Sequence, residues 1–134
     1  ILVIRNPTHT RPWQHVLDVI YAMEKIMLSR LNKSVCRKYN IAPMFVKSYT
    51  VNDIIKFYKK YFHIKIFKTK SRQSIEKRTL NIDPKKIFKE LNFRNKIGFK
   101  KMNTLTANWY KSFYSGEDIL QFTRKQILEY KNNK

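Results

Sequence analysis

The 134-residue chain carries 29 Lys and Arg against 9 Asp and Glu, a formal charge of +20 and an isoelectric point near 10.2, and its length sets one domain as the ceiling. Its two glycines, Gly98 and Gly116, lie eighteen residues apart, so no dinucleotide fingerprint, Walker A loop or serine nucleophile elbow can be written, because each needs clustered glycines for a strained turn or a close backbone approach. The single Cys36 excludes an internal disulfide framework and a multi-cysteine zinc site, and His9, His15 and His63 lie too far apart for a short metal motif.

A reducing compartment fits this cysteine usage, and the expected location is the cytoplasm. Leu, Ile, Val and Phe supply 39 of the 134 residues, about 29%, above the roughly 20% below which a highly charged chain is expected to stay disordered. No apolar run approaches the roughly 18 residues of a membrane span, since Ile1 to Ile4 is closed by Arg5 and no signal-peptide pattern follows. A soluble protein without a membrane partner is expected. The chain begins with Ile rather than Met, which reads as a processed chain or a piece of a longer one. Its basic excess divides into 21 Lys and 8 Arg, beside 11 Asn and 15 Ile, a mixture that A/T-rich coding gives without selection for a ligand. A nucleic-acid surface would cluster lysines on one face with interleaved aromatics. Along the sequence the lysines are spread, so no specific nucleic-acid partner is expected.

In chain order, Ile1 to Ile4 is a short β-branched strand candidate and Asn6-Pro7 to Arg11-Pro12 a proline-punctuated loop. From His15 the residues Val16, Ile20, Met23, Met27 and Leu31 recur at helical spacing. Val35 to Ile41 reads weakly as a strand. Thr50-x-x-Asp53 has the form of a capping box, and Ile54, Ile55, Phe57, Tyr58 and Tyr61 then line one helical face. Ile64 to Phe67 and Leu80 to Ile82 are further strand candidates. Asp83-Pro84 sets an acceptor before a proline at the first helical position, predicting a helix over Lys85 to Leu91. Helices are expected over Thr104 to Tyr114 and Thr123 to Tyr130, the latter opened by Thr123-x-x-Gln126. The class is mixed α/β with helix in excess. Residues 1–31 and 35–43 together read as a strand–loop–helix–strand unit made to dock on a parallel sheet, leaving an apolar patch in the chain alone.

The string Arg11-Pro12-Trp13-Gln14-His15-Val16, preceded by Ile4-Arg5-Asn6-Pro7 and followed by Leu17-Asp18, resembles a signature segment of CDP-glucose 4,6-dehydratases. Tyr39-Asn40-Ile41-Ala42-Pro43 is similar to the family's Asn-Phe-Gly-Pro, and Glu76 with Leu80-x-x-Asp83 to its Glu followed by Leu-x-Leu-Asp. Lys85-Lys86 leading to Glu90-Leu91-Asn92-Phe93 resembles Lys-Ala…Glu-Leu-Gly-Trp, with Trp109 eighteen residues after Leu91. Trp109-Tyr110, Gly116-Glu117-Asp118 and Thr123-x-x-Gln126-Ile127-x-x-Tyr130 are similar to the family's C-terminal tail. Asn32 to Lys38 and Tyr61 to Ser74 match poorly.

The resemblance implies the C-terminal, substrate-binding lobe of an extended short-chain dehydrogenase, spanning 1–134, with the N-terminal NAD-binding Rossmann part absent. It implies a lyase that turns CDP-glucose into CDP-4-dehydro-6-deoxyglucose in deoxysugar biosynthesis, a homo-oligomer at full length, and inactivity for this part alone. No catalytic, cofactor-binding or metal residue is expected here; NAD would bind the missing half. Arg11, by resemblance, holds the substrate diphosphate, as a guanidinium fork suits; on the residues alone it is equally a surface arginine. Glu76 resembles the acidic residue that accepts hydrogen bonds from nucleotide ribose hydroxyls in related dehydratases, and on the residues alone is a solvated carboxylate. The family's Tyr-x-x-x-Lys pattern occurs at Tyr21/Lys25, Tyr61/Lys65 and Tyr130/Lys134, and all three read as coincidences, since the family's pair lies upstream of the segment that begins here.

Ala42 stands where the family has Gly, Asn92-Phe93 where it has Gly-Trp, and Asn95 where it has Pro. Ala42 would crowd a close approach to the nucleotide, whereas Asn92 tolerates a left-handed helix cap. Trp13 reads as core rather than a stacking platform, His15 as a structural hydrogen bonder rather than a base, and Trp109 and Tyr110 with Leu105 and Phe113 as core. Two other readings remain: a small basic nucleic-acid-binding module, and an interaction domain paired with a separately encoded Rossmann chain.

Overall fold

A computed structural model describes residues 1–29, 38–44, 47–69 and 76–132. In chain order the elements are β1 (Leu2–Ile4), β2 (Thr10–Arg11), α1 (Val16–Ser29), β3 (Tyr49–Thr50), α2 (Val51–Tyr58), β4 (Ile66–Lys68), α3 (Lys85–Leu91), α4 (Phe99–Tyr114) and α5 (Ile119–Asn132). The described chain is mixed α/β and helix-rich, 51% helical with short strands. It forms two compact units, Ile1–Pro12 with Val46–Asn81, and Trp13–Phe45 with Ile82–Lys134. β1 therefore belongs to the first unit and α1 to the second, so the single strand–loop–helix–strand unit expected from the sequence is divided between them.

In the first unit β1 pairs in parallel with β4, in the register Leu2↔Ile66, Val3↔Phe67 and Ile4↔Lys68. The sequence placed this second strand at Ile64 to Phe67, two residues early at its start. Ile4 is buried while Val3 and Phe67, facing each other across the pair, are 59% and 55% exposed. The residues expected to be loop between Pro7 and Pro12 form β2, antiparallel to β3 through Thr10↔Thr50 and Arg11↔Tyr49. A proline lacks the ladder donor, but the four residues between Pro7 and Pro12 keep theirs. Thr10 also bridges Thr79 on its other side, with Thr10 N–H donating to the Arg78 carbonyl at 3.0 Å and Leu80 N–H to that of Thr10 at 3.4 Å. No strand forms over Leu80 to Ile82; that segment gives only this bridge, and Leu80 is exposed.

Helix α2 starts as expected. Thr50 Oγ1 accepts from Asp53 N–H at 3.1 Å and Asp53 Oδ2 accepts from Thr50 N–H at 2.8 Å, completing the capping box. The loop carbonyls of His9 and Pro7 accept the N–H groups of Val51 and Asn52 at 3.0 and 2.9 Å, so the first turn leaves few orphan donors. The backbone hydrogen bond from Thr50, with its side chain, holds the Asp53 carboxyl below its usual range. Thr50→Ala is expected to cost about 1 kcal/mol, read as a lower urea midpoint, with Thr50→Ser keeping the midpoint near the native value. Equal midpoints for the alanine and native proteins would show that the cap contributes nothing.

In the second unit the expected helix from His15 is α1, and its apolar stripe is left uncovered, as expected for the chain alone. Val16, Ile20, Met23 and Met27 are 60%, 54%, 52% and 71% exposed, whereas His15, Asp18 and Ala22 are buried. The face that packs is set by Asp18, invisible to an apolar count, which meets a set of donors. Ala22 packs with Ile87 of α3 and Phe93, and Tyr21, Ile26, Tyr39, Ile41 and Leu91 surround them. Asp83 Oδ1 accepts from Lys85 N–H at 2.9 Å, and α3 follows over the expected Lys85–Leu91, with Pro84 as its N-cap rather than its first helical residue. Asn92 closes α3 at φ 46°, the left-handed cap expected of it. The weak strand candidate Val35 to Ile41 lies outside the described residues up to position 37, and 38–41 hold no strand.

Two starts were misplaced by the sequence. α4 begins at Phe99 behind an extended Gly98 without a side-chain cap, five residues before Thr104; a glycine cap and two lysines give no pattern to read. α5 begins at Ile119, where Asp118 Oδ1 accepts from Gln121 N–H at 3.0 Å, so Asp118 caps it rather than Thr123. Between them Gly116, at φ +76°, permits the Schellman closure in which Glu117 N–H reaches the Ser112 carbonyl and Gly116 N–H that of Phe113, at 3.2 and 3.3 Å. Trp109 is half-buried, but Tyr110 and Phe113, expected in the core, are 44% and 51% exposed. No helix among the described residues is long and apolar enough to cross a membrane.

Candidate functional site

Arg11 and Glu76, 65 positions apart, meet in the first unit. Because β2 is held on one side by β3 and on the other by the Arg78–Leu80 backbone, the Arg11 side chain starts from a fixed point. Its guanidinium donates to the carbonyls of Thr10 at 2.7 Å and Lys77 at 3.3 Å and to Glu76 Oε2 at 3.3 Å. The same Oε2 accepts from Asn6 Nδ2 at 3.3 Å and lies 3.8 Å from His9 Nδ1. Arg11 is 25% exposed at its side chain and Glu76 49%, so the pair stands at the surface with its cation the more enclosed. His9 Nδ1 and Thr10 Oγ1 are buried atoms without a hydrogen-bond partner among the described residues. Asn6 and His9, which sequence reasoning did not place at this site, enter through the turn in which His9 N–H donates to the Asn6 carbonyl at 3.2 Å; Asn6-Pro7 was its only signal.

A pinned guanidinium, with five N–H donors in a fork, suits an oxyanion that displaces Glu76, and the displaced carboxylate is then an acceptor for a hydroxyl of the same ligand. A surface ion pair of this kind is worth about 0–1 kcal/mol, a small barrier to that exchange.

The second unit holds a polar centre that was not singled out. Asp18, fully buried, accepts at Oδ1 from Lys96 N–H at 2.9 Å and Tyr130 Oη at 2.8 Å, and at Oδ2 from Ile97 N–H at 3.3 Å and Asn95 Nδ2 at 3.4 Å. Burial, then the bond to Asp18, pushes the Tyr130 hydroxyl well above its usual range, so it keeps its proton and cannot act as a base at neutral pH. Lys25 Nζ lies over the Tyr21 ring, 5.4 Å from its centroid, as a cation–π pair, and Lys134 lies outside the described residues.

His15 is buried, and its Nδ1 accepts from Leu17 N–H at 3.3 Å, fixing it as a structural hydrogen bonder. It borders a cavity of about 210 Å³ with Trp109, Thr123 and Gln126, but Trp109 Nε1 donates to Thr123 Oγ1 at 2.8 Å and Gln126 Nε2 to the Leu105 carbonyl at 3.0 Å, so these groups tie α4 to α5. Burial lowers the His15 pKa, with Asp18 opposing. Above pH 6.5 both folded and unfolded states hold it neutral. As pH falls below 6.5 the unfolded state takes up the proton first, so stability falls until the lower, folded-state value is passed. The urea midpoint is therefore expected to drop between pH 7.5 and 5.5, and to drop less in His15→Gln; equal drops would remove His15 as the cause.

No group of three or more His, Cys, Asp or Glu among the described residues could hold a metal. Neither glycine forms a cradle for a dinucleotide phosphate, since a Cβ at Gly98 or Gly116 would meet nothing within 4 Å; neither turn fits NAD. Trp13 is half-buried and Ala42 buried. No protein-family model matches the chain, and no curated protein matches it.

Proposed function

We propose that the chain is the substrate-binding part of a CDP-glucose 4,6-dehydratase, of extended short-chain dehydrogenase fold, in which Arg11 holds the diphosphate and Glu76 the ribose of the nucleotide sugar. The observation that carries this is the meeting of Arg11 and Glu76 at 3.3 Å, across 65 positions, after each was named from sequence resemblance. A two-stranded parallel pair supports it as well, because parallel sheets are ordinarily covered on both faces and extended by further strands, and Val3 and Phe67 here lie exposed. The chain's share of the work is binding and orientation; the redox chemistry belongs to a separate nicotinamide-binding half, and the full enzyme is cytoplasmic and homo-oligomeric.

Calorimetric titration of CDP-glucose into the chain, alone and joined to an NAD-binding half of this enzyme class, tests the proposal. CDP-glucose binding that is lost in Arg11→Ala, with dehydratase activity in the joined protein, is the expected result. A joined protein that binds NAD but neither binds nor turns over CDP-glucose would overturn it.

A further inference from the structure

Charge is not spread over the fold as it is along the sequence. The described residues of the first unit hold ten Lys and Arg against two carboxylates, and those of the larger second unit thirteen against seven. Both carboxylates of the first unit are engaged, Asp53 in the capping box and Glu76 by Arg11 and Asn6. Bonds from Lys59 N–H to the Ile55 carbonyl and from Phe62 N–H to that of Tyr58, both 2.9 Å, continue the coil of α2 through Phe62. Lys56, Lys59 and Lys60 stand at i, i+3 and i+4 on it, on one side, and are exposed. The half-buried rings between them in sequence stack on one another, Phe57 on Tyr61 at 5.4 Å and 20° between planes, and Tyr58 on Phe62 at 6.3 Å and 25°. β4 adds the exposed Phe67, flanked by exposed Lys65 and Lys68. None of these five ammonium groups makes an ion pair among the described residues.

We propose that α2, its following turn and β4 bind single-stranded polynucleotide without sequence preference, the lysines taking phosphates and the exposed Phe67 ring stacking on a base. A row of cations answers a repeating phosphate chain, and an exposed flat ring, Phe67, answers an unstacked base; a duplex would hide that base. An anionic bilayer asks for an apolar face on the helix that enters it, whereas the exposed positions of α2 and its turn are Asn52, Lys56, Lys59 and Lys60.

The test is fluorescence anisotropy of a labelled oligo(dT) with the whole chain between 50 and 200 mM salt. Each phosphate contact on a single strand contributes about 0.7 to the log–log salt slope. Replacing Lys56, Lys59 and Lys60 by Gln should therefore lower the slope by about 2 and weaken binding about tenfold or more at 50 mM salt. Replacing Lys100, Lys111 and Lys125 in the second unit by Gln should change affinity by less than about threefold. Phe67→Ala should weaken binding about fivefold or more with the slope unchanged. Equal losses from the two lysine triples, equal competition by inorganic polyphosphate at matched charge, or tighter adsorption to phosphatidylserine vesicles than to the oligonucleotide would each overturn the proposal.

Discussion

Asp18→Ala is expected to destabilise the second unit by about 3 kcal/mol or more, a large part of the roughly 5–15 kcal/mol a domain has in total. The cost arises from what the carboxylate leaves behind. Lys96 N–H, Ile97 N–H and the Tyr130 hydroxyl all aim at its two oxygens, and an unsatisfied buried donor costs about 1–3 kcal/mol. Asp18→Asn should lie between, because the amide keeps one acceptor oxygen and sets an NH₂ against donors at the other. Tyr130→Phe should cost least, about 1.5–3 kcal/mol, since it removes one charge-assisted bond and leaves three. The Lys96 ammonium, over both the Tyr21 and Tyr130 rings at 5.0 and 5.2 Å from their centroids, is expected to loosen with each. Urea unfolding of the three variants at pH 7 gives the order; a Tyr130→Phe variant as unstable as Asp18→Ala would show that the bond to Tyr130 alone carries the clamp.

Asp18 also shows why parts of the fold were not legible in the sequence. Apolar spacing located α1 and its stripe of Val16, Ile20, Met23 and Met27, all four exposed, but not the face that packs within the second unit. A period counts side chains that avoid water; it does not see a carboxylate buried because backbone N–H groups from position 96 onward come to meet it. The start of α2 was readable because Thr50 and Asp53 cap it with their own side chains, that of α3 because Asp83 accepts the Lys85 N–H just ahead of a proline, and the end of α3 because Asn92 tolerates a positive φ. The start of α4 was not, because Gly98 has no side chain to announce it. β2 was hidden by the prolines on either side, and its pairing with Tyr49–Thr50 and Thr79 is a property of distant segments. Of the candidate site, Arg11 and Glu76 were named from resemblance, while Asn6, His9 and the Lys77 carbonyl depend on contacts that cross about 65 positions and have no local signature.

In the dehydratase reading, Arg11→Ala in a chain joined to its NAD-binding half is expected to raise KM for CDP-glucose about 10- to 150-fold with kcat nearly unchanged. A charge-assisted bond of this kind is worth about 1.5–3 kcal/mol, and a diphosphate far from the reacting carbons is held alike in ground and transition states. Arg11→Lys should recover only part, because an ammonium is a point charge and cannot reproduce the fork that reaches the Thr10 and Lys77 carbonyls and Glu76 together. Glu76→Gln tests the other half and carries two opposed effects. It removes the anion that Arg11 must leave in order to take the diphosphate, a gain of about 0–1 kcal/mol for a surface pair. It also weakens the acceptor offered to the ribose hydroxyls, a loss of about 1.5–3 kcal/mol. The loss is the larger, so KM should rise, by less than in Arg11→Ala. The double variant should then exceed the product of the single effects, by up to about fivefold, because each single variant already relieves the ligand of breaking the Arg11–Glu76 pair and that relief counts only once in the double. Steady-state kinetics on CDP-glucose for the single and double variants measures each quantity, and an unchanged KM in Arg11→Ala would withdraw the diphosphate from Arg11.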